Sequence, residues 1–276
     1  MHIDKFLEQG IYLRNWSART VRTYRQGLAT LPPTLTKATL NAWVISQRQR
    51  GLTPAGLNMY ARTINSYLTW LHEEGHISER LRIKLLPNPS KPLTTFSDAD
   101  VRRILTYRPQ GRGQLRSWTL TVLLFDTGLR IDEALGLERD KVDLDGLTVR
   151  VTGKGNRQRI VPISDEGRKV LYRYLTKLSE GSYVFATSSG VRLSYRNAYR
   201  DIKELCENAG IVGQHVHPHN IRHYFAVNYV RRGGDIYRLS RILGHSQINT
   251  TAIYLRSMGV EHLKEGHQQF SPLGRT

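Results

Sequence analysis

Cysteine is nearly absent. The 276 residues include one, Cys206, so no internal disulfide can form, and the chain reads as a cytoplasmic protein of a reducing compartment. Cys206 falls on an apparent helix over 197–209, where it is expected to be a small buried apolar residue. Long apolar runs are missing too. None approaches the ~20 residues that span a membrane, and the opening MHIDKFLEQG has no signal-peptide pattern. There is no internal repeat and no low-complexity segment. Acidic residues are scarce: 23 Asp and Glu stand against 41 Lys and Arg, a net charge of +18 and a pI of about 10.3. That surplus points to a polyanion, most simply nucleic acid; the plainer alternative is a soluble basic protein. Apolar residues, at 39%, are low but enough for globular cores, and the length suits two domains.

Residues 1–86 read as helical, without a convincing strand. Ser17 is placed to cap a helix in which Val21, Tyr24 and Leu28 recur at helical spacing, and Leu31-Pro-Pro-Thr34 breaks it. A second helix, 36–50, has Leu40, Trp43 and Val44 on one face and Gly51 just past its end. Thr53-Pro54 opens a third, striped by Leu57, Tyr60, Ile64, Tyr67, Leu68 and Leu71 and stopped at Gly75. Arg14, Arg19, Arg22, Arg25, Arg48, Arg50 and Arg62 crowd the polar faces, as in a solvated surface or one that meets phosphates. The PNPSKP stretch over 87–92 is short, basic and proline-stiffened. It divides the chain into expected domains 1–86 and 95–276, joined by 87–94.

In the second part, Ser97 caps a helix over 95–105 with Asp98 and Asp100 in its first turn. An apolar helix over 116–127 ends at Gly128. Leu129-Arg130-Ile131-Asp132-Glu133 then starts another, which sets Arg130 at a helix N-terminus, where anions bind; an ordinary surface Arg is the alternative. Residues 147–151 alternate, 153–156 turn and 157–162 return, a hairpin with Lys154 at its tip, where a lysine is by default solvated. A helix over 165–178, a short strand over 181–185 and a basic helix over 194–209 carrying Arg196, Arg200 and Lys203 follow.

The most informative stretch is 218–254. His219 and Arg222, three apart, share a helix face; His245 follows a Leu-Gly step; Tyr254 comes nine residues later. His219, Arg222 and His245 can each donate a hydrogen bond to an anion, and Tyr254 becomes a nucleophile if its proton is removed. Such a set suits phosphoryl transfer, where catalysis is mostly positioning and electrostatic stabilisation. His215, His217, His219 and His223 also invite a metal reading. Against it, position 220 is Asn and not the Glu of an H-E-x-x-H site, Arg222 sits between two of the histidines, and no Cys or acidic ligand is near. His223, amid Tyr224, Phe225 and Val227, reads as a core histidine; Tyr254 taken singly reads as a packing residue.

His219-x-x-Arg222, Leu243-Gly244-His245 and Tyr254 resemble the tyrosine recombinase (phage integrase, Xer-like) family. Gly128-Leu129-Arg130 with Glu133 three residues on, and Lys154 in its Gly-Lys-Gly turn, extend the likeness over 97–256. The resemblance implies a mainly α fold with a small β-hairpin or sheet: an N-terminal helical core-binding bundle and a C-terminal α+β catalytic domain, clamping double-stranded DNA. It implies catalysis by Arg130, Lys154, His219, Arg222, His245 and Tyr254, with Glu133 orienting a catalytic side chain, through a 3′-phosphotyrosine and without metal or ATP. It further implies a homotetramer on two DNA sites, alone or with a partner recombinase, and no membrane. The helical domain starts near residue 1, which fits a simple Xer-like or mobile-element enzyme without an arm-binding domain. A type IB topoisomerase would share most of the set, although its counterpart of His219 is usually basic and not His. A catalytically idle DNA-binding protein is the other alternative, and the complete set of six argues against it. In the tail, Val260, Leu263 and His267 lie at helical spacing opposite Glu261, Lys264 and Glu265. The implied short amphipathic helix must dock on its own domain or on a neighbouring protomer.

Overall fold

Helices α1 (Ile3–Tyr12), α2 (Ala18–Leu28), α3 (Lys37–Gln49) and α4 (Pro54–Glu73) make up the first of two compact units, Met1–Lys91 and Pro92–Thr276. The computed structural model describes residues 2–88, 95–153, 156–178, 181–213, 215–245, 247 and 251. The expected linker 87–94 straddles the division, and its residues 89–94 lie outside the described residues. Three helices begin on hydroxyl caps: the side chains of Ser17, Thr36 and Thr53 accept from the backbone N–H groups of Thr20, Thr39 and Gly56. Leu57, Ile64, Tyr67, Leu68 and Leu71 of α4 pack with Phe6 and Leu28 in one core. Burying each such side chain stabilises the unit by roughly 1.5–3 kcal/mol.

The helical reading of 1–86 stops short at its end. Residues 81–88 form no helix, yet Leu81 and Ile83 are buried. Two α4 side chains satisfy this segment's backbone. Asn65 Nδ2 donates to Ile83 O (2.9 Å) and its Oδ1 accepts from Ile83 N (2.8 Å). Asn58 pairs with Leu86 in the same way (2.9 and 2.8 Å). Seven helical residues rise about 10.5 Å, close to the full reach of three residues, so 83–86 runs nearly extended along α4.

The second unit is built on α6 (Gly111–Thr127), which is buried nearly all round by its packing against α8 (Asp165–Leu175), α9 (Tyr195–Asn208) and α10 (Pro218–Arg231). It starts five residues before the expected 116. Ser97 and Asp100 form a capping box at α5 (Asp98–Thr106), and α7 (Ile131–Leu135) and α11 (Ile236–Leu243) are two further short helices. The expected hairpin is present as β2 (Thr148–Thr152) and β3 (Gln158–Pro162), antiparallel, with Val149 opposite Val161 and Val151 opposite Arg159. A two-residue strand, β1 (Val142–Asp143), extends it to three. The strand expected over 181–185 is not formed. A single bridge pairs Tyr183 with Glu138, and the backbone bends on either side of it, at residues 182, 184 and 185, so no ladder extends from it. The molecule is thus mostly helical with one small antiparallel sheet.

Candidate active site

Three turns of the second unit deliver the predicted residues. α6 ends on Gly128 in the left-handed region (φ 63°), and a Cβ there would lie 2.3 Å from the Phe225 ring. The sharp exit makes Arg130 the N-cap of α7, and Glu133 Oε2 accepts from the Arg130 backbone N–H (2.9 Å). The N-terminus of α7, expected to face an anion, is therefore occupied by this chain's own carboxylate. α10 starts at Pro218 and presents His219 and Arg222 one turn apart. α11 closes on Gly244, also left-handed (φ 66°), immediately before His245.

The arginines gather at the C-terminus of α11, where a helix leaves carbonyls without partners and its dipole is negative. Arg222 Nη2 donates to Leu243 O (2.7 Å) and Arg130 Nη1 donates to the same oxygen (3.3 Å). Arg159 Nε donates to Ile242 O (2.7 Å). Arg222 Nη1 reaches back to Gly128 O (2.9 Å), joining the ends of α6 and α11. Arg222 is 3% exposed, whereas 46% of the Arg130 side chain is open to solvent. Glu133, 6% exposed, is the anion among them. Arg159 grips it with a two-pronged fork, Nη1 to Oε1 and Nη2 to Oε2, both 2.8 Å, and Arg130 Nη1 adds a contact to Oε1 (3.1 Å). Burial alone would raise the Glu133 pKa; the bonds and charge of Arg159, then those of Arg130, outweigh it and hold the carboxyl below its usual value.

His245 has both ring nitrogens engaged. Nε2 lies 2.8 Å from Arg222 Nη2 and Nδ1 lies 2.8 Å from Thr251 Oγ1. A guanidinium only donates, so Nε2 accepts and Nδ1 carries the proton, donating to Thr251. Burial first, then Arg222, Arg130 and Arg159, push the His245 pKa down to about 4 against a weak opposing effect of Glu133. His219, at the surface, is also lowered, by the packing of its ring and then by Arg222, His217 and Arg130. Both histidines are neutral at pH 7. The result is a cluster of three guanidiniums and one carboxylate, whose net positive charge suits an oxyanion.

Arg130, Glu133, Arg222 and His245 are thus joined by hydrogen bonds, and His219 shares their electrostatic environment. Lys154, Tyr254 and the tail over 257–276 lie outside the described residues. Where the strands meet the turn, Gly153 N donates to Arg157 O (2.8 Å). The four histidines of 215–223 do not converge. His215 stands edge-on to Phe96, His217 accepts from the His219 backbone N–H, and His223 is buried. Among the described residues no group of three His, Cys, Asp or Glu could hold a metal ion. Sequence reasoning missed Arg159 and Thr251. The signal for Arg159 lay in the hairpin's alternation, which places it on the same face as Val149, Val151 and Val161, a core face with an arginine in it.

Comparison with known proteins adds independent observations. A model of the phage integrase family matches residues 95–259. Tyrosine recombinase XerC of Xylella fastidiosa (strain M23) is 31% identical over 280 residues, covering 95% of this chain and 94% of that protein. Tyrosine recombinase XerC of Xanthomonas campestris pv. campestris (strain B100) is 33% identical over 289 residues, covering 98% and 88%. Among solved structures, the Tn1549 transposon integrase in complex with transposon right end DNA matches with a TM-score of 0.80 over 98% of this chain and 100% of that one. At 17% identity this is a likeness of fold.

Proposed function

The chain belongs to the phage integrase family and is a tyrosine-type site-specific DNA recombinase, and from that premise we propose how its residues divide the chemistry. Tyr254 attacks the scissile phosphate of duplex DNA. A bond forms between its phenolic oxygen and phosphorus, the bond to the 5′-oxygen breaks, and a 3′-phosphotyrosine and a 5′-hydroxyl result. His219, kept neutral by its surroundings, accepts the Tyr254 proton, and Lys154 protonates the leaving 5′-oxygen. Arg130 and Arg222 bind the non-bridging oxygens, and Glu133 fixes the Arg130 guanidinium. The bond energy stays in the phosphotyrosine ester, so a 5′-hydroxyl of a second duplex can attack it without ATP or a metal.

The observation that carries this reading is the convergence of Arg130 and Arg222 on the Leu243 carbonyl, with His245 2.8 Å from Arg222. A guanidinium aligned by a neutral carbonyl keeps its charge for a phosphate. A phosphodiester among the three arginines would offset the charges that depress the His245 pKa. It would favour a second proton on the ring and donation from Nε2 to the phosphate.

Both units contact duplex DNA, the first through its Arg-rich helices. Four copies act on two sites. The decisive test is Tyr254→Phe. It should bind DNA as the intact chain does and form no covalent adduct, while the intact chain forms adduct in excess chelator. An adduct with Phe at 254 removes Tyr254 from the role. Loss of adduct on chelation, restored by zinc, would bring back the histidine metal site.

A further inference from the structure

We propose that Arg159 is a positioning residue for strand cleavage, a three-point brace that fixes the hairpin, Glu133 and the C-terminal turn of α11 in one frame. The inference rests on the roles given to Arg130 and His245 above.

Arg159 occupies an unusual place for an arginine. Its register partner is Val151, and its face of the hairpin is otherwise Val149, Val151 and Val161, all buried. Only 15% of its side chain is exposed. Three donors on the one planar group point three ways: Nη1 and Nη2 to the two oxygens of Glu133, and Nε to Ile242 O. The same guanidinium lies against Gly244, where a Cβ would meet its atoms at 2.9–3.0 Å, so only glycine leaves it room. Each contact leads to a residue of the proposed chemistry. Glu133 holds the backbone and guanidinium of Arg130. Ile242 and Gly244 flank Leu243, the carbonyl shared by Arg130 and Arg222, and Gly244 precedes His245.

A buried carboxylate needs a counter-charge, and that could be all that Arg159 supplies. The geometry separates the two roles. A counter-charge is a point, and a lysine provides it. A brace is a fork plus a third bond in the same plane, which a single ammonium nitrogen does not reproduce. Arg159→Lys therefore keeps the charge and removes the brace, whereas Arg159→Ala removes both.

The experiment starts from a pool of random-sequence DNA duplexes. Duplexes trapped covalently on the intact chain are sequenced, and one of them becomes the probe for gel shift and single-turnover cleavage. If the intact chain traps none, the recombinase roles fall, and this inference with them. With a probe in hand, Arg159→Lys should melt within a few degrees of the intact chain and bind within a few-fold. It should cleave about 100-fold more slowly, as expected when reacting groups are displaced by about 1 Å. Arg159→Ala should cleave no faster than Arg159→Lys and melt lower. Adding Glu133→Gln to Arg159→Ala should slow cleavage by much less than the product of the single effects, since both act on one network. Cleavage by Arg159→Lys within a few-fold of the intact chain would reduce Arg159 to a counter-charge. Parallel loss of melting temperature, binding and cleavage in Arg159→Lys would reduce it to a fold residue. Either result overturns the proposal while leaving Tyr254 chemistry standing.

Discussion

Both units meet the same physical problem, backbone polar groups that their own element leaves unsatisfied, and they solve it with opposite chemistry. In the first unit, Asn58 and Asn65 each give one donor and one acceptor to the irregular segment beside α4. The match is complete and neutral. In the second unit the last carbonyls of α11 receive Arg130, Arg159 and Arg222. A guanidinium has five donors and no acceptor, so satisfying a carbonyl consumes little of it and none of its charge. An amide clamp ends in a closed structure. An arginine cluster ends in aimed positive charge, which is what a phosphoryl-transfer site requires. The contrast separates a part of the molecule whose polar groups close on one another from a part that holds three guanidiniums against a single carboxylate.

The largest effect should come from Arg222, where both demands fall on one residue. Arg222→Lys keeps a charge but cannot span Gly128 O and Leu243 O while also facing a phosphate. Cleavage of bound DNA should fall by about 100- to 1,000-fold, the loss typical for one oxyanion donor. Single-turnover rates at saturating protein measure it, with gel shift to show that binding falls far less. A rate within ten-fold of intact would mean that the arginine cluster is only structural.

The mirror image is Asn58→Ala. It strips Leu86 of both partners at a site 5% exposed and should cost about 2–3 kcal/mol of stability. The cleavage rate of the complex that still forms should be unchanged. Urea denaturation reads the first quantity and single-turnover cleavage the second. A drop in that rate would erase the distinction between a closed clamp and an aimed one.

How far the sequence reveals each region follows from the range of the interactions. Ser17, Thr53-Pro54, Ser97 and Gly128 are readable because a cap is settled within four residues. Arg130, His219, Arg222 and His245 are readable because their flanks carry the family pattern. The segment beyond Gly75 was not, because the partners of Ile83 and Leu86 lie 18 and 28 residues back in the chain. Arg159 was hidden for the same reason, its carboxylate being 26 residues away and its carbonyl 83. The isolated bridge at Tyr183 shows the complementary failure, where local composition suggests a strand but bends on either side of the bridge leave no ladder to extend.

The smallest expected effect is one of acidity, and its largest part falls on His245 in the arginine cluster. His245 sits at about 4 in the folded chain against an ordinary 6.5, pushed down by burial and then by Arg222, Arg130 and Arg159. Between those values the unfolded chain binds a proton that the folded chain refuses. The stability that comes from a neutral His245 is therefore complete above about pH 6.5 and is lost as pH falls toward 4. The full shift corresponds to ~3 kcal/mol, and solvent screening of a partly exposed ring reduces this to about 1–2 kcal/mol. His219 and His223 are lowered as well and act in the same sense. His245→Asn removes the largest member of the set. In urea denaturation at pH 7 and pH 4.5, the intact chain should lose about 1–2 kcal/mol more between the two than His245→Asn does. The amides of Asn58 and Asn65 do not titrate, so Asn58→Ala should lower stability by the same amount at both pH values. Equal acid losses in the intact chain and His245→Asn would mean that burial and the arginines together do not hold the His245 pKa down. A pH-dependent penalty in Asn58→Ala would show that the two regions are energetically linked.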